Sequence, residues 1–337
     1  MDRRAFLALV GTALVVSPRV ARATGGLDIA GSAAQHRMRV LLASGTFEAP
    51  HPLDAWHFAW RERTYRGTYL IASLPDGRDG LVNVLPLDAY LAGVLSREVS
   101  PSWSPAAQEA QAIVARTYAL GKLRPANIYD VVASESDQRY DGIEGESVEG
   151  RAAVDATAGV VVTYADAPAH VAYSSCCGGR TADSGDVWNT PYPYLRGVVD
   201  PNCASSPGYA WQIELARGAL DGAFGAALSG IGALRTVELD SGDPSRRPRG
   251  IRFVGDLATF EATPNKFRAS LGTSVVRSTF VRDVALRNNG ATIAVSGTGR
   301  GHGVGLCQWG ARELGERGAS AQDIVAFYFP GTSFGRA

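Results

Sequence analysis

The alternation of apolar and polar positions divides the chain into blocks of different period. Residues 24–84 carry short apolar runs at Met38-Arg39-Val40-Leu41-Leu42, Tyr69-Leu70-Ile71-Ala72 and Leu81-Val82-Asn83-Val84. Pro75-Asp76-Gly77 and Asp79-Gly80 punctuate the last two, so these runs read as strands joined by turns. The period then becomes helical. Leu87, Tyr90, Leu91, Val94 and Leu95 form one apolar face, Asp88 suits the first turn, and Pro101 stops the helix. A second helix opens with Ser104 as cap and Pro105 at its first position, with Ala106, Ala110, Ile113, Val114, Thr117 and Tyr118 facing the core. A third runs around Val148 to Ala158. Strands return at Val160 to Tyr164 and at His170 to Tyr173.

Residues 204–290 mix strand-like runs with one Ala- and Gly-rich stretch of helical character. Two short helices close the chain. One starts near Gln308, and the other has Ser320 as cap, Asp323 three residues on, and Ile324, Phe327 and Tyr328 inward. No internal repeat or long low-complexity linker interrupts this order. Strands and helices in separate blocks predict an α+β fold, with mixed strands and short helices in one elaborated domain. The blocks suggest an N-terminal strand-rich segment, 24–80, followed by a main domain, 81–337.

The first 23 residues stand apart. Arg3 and Arg4 precede an apolar run from Ala5 to Val16, and Ala21-Arg22-Ala23 offers small residues for a signal peptidase. Arg3-Arg4-Ala5-Phe6-Leu7 is similar to a twin-arginine export signal. The run is shorter than the ~20 residues a membrane span needs, so a cleaved signal peptide is expected, with no stable span after processing. The protein would then be exported, and periplasmic or associated with the cell wall.

Lys plus Arg equals Asp plus Glu at 33 each, which removes the basic excess a nucleic-acid binder shows. Export changes the reading of Cys176, Cys177, Cys203 and Cys307. In an oxidising compartment one of the adjacent pair joins Cys203 in a disulfide. The alternative is a metal site, for which the spacing offers no CxxC pattern.

Four segments carry candidate chemistry. Glu98 lies at or just past the C-terminus of the first helix, the negative end of the dipole, which should raise its pKa. A carboxyl that stays protonated near neutral pH is what a general acid needs to cleave a glycosidic bond. The plainer alternative is a surface glutamate paired with Arg97. Arg116, inside a small and apolar helix, needs a carboxylate or polar ligand, or else reaches solvent along its own stem. Residues Tyr173 to Thr181 contain Cys176-Cys177-Gly178-Gly179, a turn in which backbone can approach a ligand. Residues Gly299 to Ala311 alternate glycine with other residues around His302 and run into Gln308; no phosphate-loop pattern is present. A cysteine hydrolase using Cys176 or Cys177 with His302 is a third reading, opposed by the expected disulfide.

These four segments, in this order, resemble the SpoIID/LytB family, stage II sporulation protein D and its relatives. The matching stretches are Val82 to Leu91 running into Glu98, Ala110 to Ala119, Cys177 to Thr181 with Val187-Trp188 and Pro193 to Leu195, and Gly301 to Gly305 with Gln308 and Gly310-Ala311. The resemblance implies a lytic transglycosylase that cleaves peptidoglycan between N-acetylmuramic acid and N-acetylglucosamine and leaves 1,6-anhydro-muramyl ends. It puts the catalytic acid on Glu98 and a functional arginine on Arg116, which would orient Glu98 or bind substrate. Tyr118, Ser175, Gly178, Gly179, Thr181, His302 and Gln308 become the expected substrate contacts. Some relatives bind zinc near the glycine turn. Ser174 stands where many have histidine, which leaves Cys177 and Cys203 as the candidate ligands, with the disulfide preferred and no cofactor required. Peptidoglycan glycan strands are the expected partner. A cell-wall amidase is a second, because some relatives are described as modifiers of one. The competing class is a non-catalytic wall-binding module that stimulates such an amidase.

Overall fold

The computed structural model describes residues 36–240 and 246–337. The signal peptide expected over residues 1–23 lies outside them. Eight helices are named here in chain order: α1 (Leu87–Glu98), α2 (Pro105–Lys122), α3 (Val148–Ala156), α4 (Ser184–Trp188), α5 (Arg217–Ser229), α6 (Pro264–Leu271), α7 (Gln308–Glu316) and α8 (Ala321–Tyr328). Helices and small sheets intermix without a barrel, so the fold is α+β.

The first core is built on a four-stranded sheet ordered Thr68–Ser73, Asp79–Pro86, Arg37–Ser44, Val131–Val132. The first three strands are antiparallel, and the short last one runs parallel to Arg37–Ser44. The sheet therefore continues across residue 80, and strands from both sides of that position share one core with Tyr90, Leu91, Val94 and Leu95 of α1. The strand Asp79–Pro86 passes directly into α1, which fixes the direction in which α1 leaves the sheet.

The periodicity of α2 predicts one buried face, yet residues 110 to 117 are buried without a break. Its alanines let neighbours close in on every side. Ala112, Ala115 and Ala119 pack into the first core, while Ala110, Ile113 and Val114 pack into a second with α8 and the strand Val160–Tyr164. Ser104 caps α2 by accepting from the Ala107 N–H, with Pro105 behind it, as its sequence predicts. In α8 the capping box of Ser320 and Asp323 is formed, but Val325 turns inward with Ile324 and Tyr328, and Phe327 stays half-exposed.

The strand expected over His170 to Tyr173 shrinks to Tyr173–Ser174, which pairs in parallel with Leu306–Cys307. Between these two partners the chain makes a lobe with its own core. That lobe contains the sheet of Ala210–Ala216, Thr292–Thr298 and Val281–Arg287, a second sheet of Leu234–Asp240, Gly250–Gly255 and Thr259–Ala262, and α5 and α6. Its return to the main body requires Gly305 at φ +73°, where an added Cβ would sit 2.1 Å from the Ala172 carbonyl oxygen. Gly305→Ala should therefore cost about 3 kcal/mol or more, read as a fall in melting temperature. Gly318→Ala, at φ +89° with open space around it, should cost about 1 kcal/mol, which separates the clash from the backbone strain.

Candidate active site around Glu98

Glu98 is the last residue of α1, and its carboxylate is half-buried at the junction of the first and second cores. Gln308, the first residue of α7, donates from Nε2 to Glu98 Oε2 at 3.2 Å. The Tyr173 hydroxyl and the Arg139 backbone N–H also hydrogen-bond the carboxylate. The Tyr173 oxygen accepts from Gln138 Nε2 at 3.0 Å, which directs its own proton toward Glu98. Gln138 is fully buried and accepts from the Tyr90 hydroxyl at 3.2 Å. A chain of buried polar groups therefore runs from α1 through Gln138 and Tyr173 back to the end of α1.

Burial raises the Glu98 pKa, and the charge of Glu135 adds to it; the bonds from Gln308, Tyr173 and Arg139 pull the other way and do not cancel it. The direction is the one the sequence predicts, and its leading cause is desolvation. Two tryptophans flank the site. Trp309 follows Gln308 and meets Trp103 edge-on, with ring centroids 5.4 Å apart. Gln108 holds the turn before α2 by donating to the carbonyls of Pro101 and Trp103.

Arg116 does not join this site. Its side chain is 1% exposed and donates to Asp88 Oδ1 at 3.0 Å, Thr157 Oγ1 at 3.2 Å, and the carbonyls of Val154 and Val160. Asp88 is at the opposite end of α1 from Glu98, about 15 Å away at the helical rise. The expectation that Arg116 orients Glu98 or touches substrate is corrected: it ties α1, α2, α3 and the strand after α3 together.

Residues 76–164, which hold α1, Glu98, α2 and α3, match the family described as Stage II sporulation protein (SpoIID). A protein described as uncharacterized in Brachyspira hyodysenteriae is 30% identical over 254 residues, covering 74% of this chain and 67% of its own. Stage II sporulation protein D of Bacillus subtilis is 26% identical over 276 residues, 76% of each chain. The chain belongs to the SpoIID family. Another B. subtilis relative, an amidase enhancer, is 28% identical over 291 residues, which cover 72% of this chain but 40% of the enhancer. Among the described residues no helix is long and apolar enough to cross a membrane.

Within this SpoIID chain the other expected contacts divide into two groups. Gln308 touches Glu98 directly, and Tyr118 reaches the site through Tyr173, whose ring it meets edge-on at 6.2 Å. The Tyr118 hydroxyl donates to Asp137, which also takes Lys122 at 2.8 Å. Ser175 accepts the Trp309 N–H at 3.1 Å and so anchors the start of α7. The remainder shape the loops. Gly178 (φ +76°) lies against Thr298 of the inserted lobe, where a Cβ would meet backbone at 2.6 Å; Gly179 lies beside Tyr209. Thr181 is buried and accepts the Val198 N–H. His302 accepts the Val304 N–H at its Nδ1 and packs on Trp188; loss of hydration draws its pKa down to about 4, so it is neutral at pH 7. None of these four hydrogen-bonds Glu98.

Gln138 and Trp103 are site members that motif reading passes over, while Tyr90, Tyr173 and Trp309 lie inside the candidate segments without a role of their own there. Their one sequence signal is polar or aromatic character next to a matched motif. The same signal marks Gln111, buried in α2 with both amide atoms lacking a partner among the described residues.

The cysteines form a second centre behind the site. All four are unbridged in this structure, unlike the disulfide preferred from the sequence. Cys177 Sγ and Cys203 Sγ are 3.5 Å apart, and the Cys177 thiol donates to Asp200 Oδ2 at 3.2 Å. Donor atoms of Cys177, Asp200, Cys203 and Cys307 all lie within 4.8 Å of one another, and all four residues are buried. Three sulfurs and a carboxylate oxygen at this spacing fit tetrahedral zinc. Asp200 has the supporting shell a ligand needs: Tyr328 donates to Oδ2 at 2.9 Å and Asn202 to Oδ1. Burial pushes the Cys307 thiol up, the hydrogen bond with Cys203 pushes Cys177 up, and the hydrogen bonds from Cys176 and Cys177 pull Cys203 down.

Two outcomes follow from this geometry. Arg116→Ala leaves Asp88 and two buried carbonyls without their donor and should cost about 2–4 kcal/mol, measured by chemical denaturation. A carboxyl whose folded pKa lies above its unfolded one is stabilised in its protonated form, so stability falls as pH rises through the raised value. Glu98→Gln removes that loss. The variant should melt above wild type at pH 7, and the difference should vanish below about pH 4, near the unfolded value.

Proposed function

We propose that this chain is a peptidoglycan lytic transglycosylase in which Glu98 acts first as acid and then as base. The observation that carries the reading is one desolvated carboxyl with a raised pKa, held by Gln308 and Tyr173, with the edge-on pair of Trp103 and Trp309 next to Gln308. The protonated Glu98 gives its proton to the glycosidic oxygen as the bond to muramyl C1 breaks. The C6 hydroxyl closes on C1, and the carboxylate takes the hydroxyl proton. The products are a free hydroxyl on the departing sugar and a 1,6-anhydro ring, with Glu98 returned to its acid form. Unlike the usual hydrolase pair, this sequence needs no second carboxylate. Asp137, the acid beside Tyr118, is committed to Lys122, Tyr118 and the Val132 N–H. Gln308 and Tyr173 steady the carboxylate in the ionised half of the cycle.

In this proposal zinc sits on Cys177, Asp200, Cys203 and Cys307 as a structural ion that fixes the loops. Cys307 immediately precedes Gln308, and Cys177 is four residues past Tyr173, so the cluster holds both segments that contact Glu98. The substrate places the protein outside the cytoplasm, consistent with the expected signal peptide. A wall-binding module that stimulates an amidase is the second reading, and the amidase-enhancer relative favours it.

Mass spectrometry of products from purified glycan strands, with and without stem peptides, tests the main reading. Wild type should yield anhydro-muramyl ends, and Glu98→Gln should lose at least ~100-fold in rate. Absence of cleavage by wild type, with wall binding retained, would shift the assignment to the module. Elemental analysis of the protein should find about one zinc per chain, with four titratable thiols after chelation and unfolding. Cys307→Ser should lower both zinc content and melting temperature. Two or fewer thiols in the unreduced chain would restore the disulfide.

A further inference from the structure

A cavity of about 550 Å³ lies apart from the Glu98 contacts, between the glycine turn, α4 and the inserted lobe. Its size falls within the ~300–1,000 Å³ of ligand pockets. Arg180, Arg196, Arg247 and Arg249 converge on it, and none has a carboxylate within ion-pair distance among the described residues. Together with Arg246, which also lines the cavity, they set five guanidiniums around one concavity against the two carboxylates of Asp183 and Asp186, and an anion would lower the repulsion that remains.

Arg247 is the fixed member. It donates through Nε to the Arg180 carbonyl, through Nη1 to Thr279 Oγ1 and through Nη2 to the Cys177 carbonyl, at 3.0, 2.8 and 2.5 Å. Its guanidinium stacks on Phe280 at 4.6 Å. Those bonds use three of its five N–H groups and hold the guanidinium in one orientation on the cavity wall. Gly303 exists for this side chain: a Cβ there would lie 2.2 Å from Nη2. Arg180 spends one bond on the Gly197 carbonyl. Arg196 and Arg249 stand exposed at the rim, and their guanidiniums have no hydrogen-bond partner among the described residues. A rigid cation at the base with adjustable cations at the rim is suited to bidentate capture of carboxylates.

The lining also contains Asp183 and Asp186. Asp183 caps α4 by accepting the Gly185 N–H, while Asp186 is exposed. Acidic groups beside the arginines disfavour a polyphosphate and favour a ligand that has several carboxylates together with an amino group. We propose that this cavity is a binding site for a short acidic peptide with a free amine. A wall stem peptide has that chemistry, and an acidic segment of a protein partner, which lacks the free amine, is the alternative that the test separates. The proposal does not depend on the catalytic reading of Glu98.

Calorimetric titration of the full chain with three probes tests it: a stem tetrapeptide from peptidoglycan, an L-glutamate tripeptide and an L-alanine tripeptide. At least one acidic probe should bind while the alanine peptide does not. A preference for the stem peptide assigns the site to the wall, and a preference for the glutamate peptide assigns it to a protein segment. Arg196→Gln with Arg249→Gln, both exposed and without partners to lose, should weaken that binding at least ~10-fold, as removal of two charged hydrogen-bonding groups predicts. Arg37→Gln, at an exposed position elsewhere, should leave it unchanged. Failure of both acidic probes to bind, or binding that survives the double substitution, overturns the proposal. So does tighter binding of inorganic polyphosphate than of either acidic probe.

Discussion

The site depends on the middle of α2, residues 110 to 117, being buried on every side. Apart from Gln111, whose amide stays without a partner among the described residues, a helix in that position must draw partners for its buried polar groups from within the protein. Arg116 does so by reaching Asp88, Thr157 and two carbonyls, and thereby fixes α1 against α2 and α3. With α1 fixed, its last residue is fixed as well. Glu98 emerges where the first core ends and the second begins, half out of water, and the same packing that orders the two cores raises its pKa. Arg116 thus supports the site at a distance, through the position of α1.

The other half of the site comes from the end of the chain. Gln308 and Trp309 reach Glu98 and Trp103 across some two hundred residues of sequence because Leu306–Cys307 pairs with Tyr173–Ser174. The inserted lobe sits between those two strands, and its glycines at 178, 303 and 305 are the close contacts that let it return. The cluster of Cys177, Asp200, Cys203 and Cys307 lies on the same junction. A lobe can thus be inserted without loosening the residues on either side of it.

Much of this was legible in the sequence. The heptad-like spacing of Leu87 to Leu95 and the Ser104-Pro105 start located α1 and α2, and the position of Glu98 at a helix end followed from them. Burial of residues 110 to 117 on every side was not legible, because alanine does not reveal which side of a helix is covered. Arg116 was singled out for the right reason, an embedded cation that needs partners, but sequence spacing could not tell Asp88 from Glu98 as its partner. The glycine-rich loop marked Gln308 as a cleft candidate, but its pairing with Glu98 was not legible from spacing. Gln138 was missed because it lies in an irregular segment where no periodicity operates, and Tyr173, though inside a candidate segment, carried no signal that its hydroxyl faces Glu98. The thiol cluster draws on three separate segments, and its fourth donor, Asp200, had no local signal at all.

The central claim is that burial holds the Glu98 carboxyl above the ordinary range for glutamate. A carbon-detected NMR titration of the Glu98 side chain, assigned by comparison with Glu98→Gln, measures that value directly. The account predicts a midpoint above the ~4.3 of a free glutamate. It also predicts a further rise in Tyr173→Phe, which removes a hydrogen bond to the ionised form. A wild-type midpoint at or below the free value would contradict it.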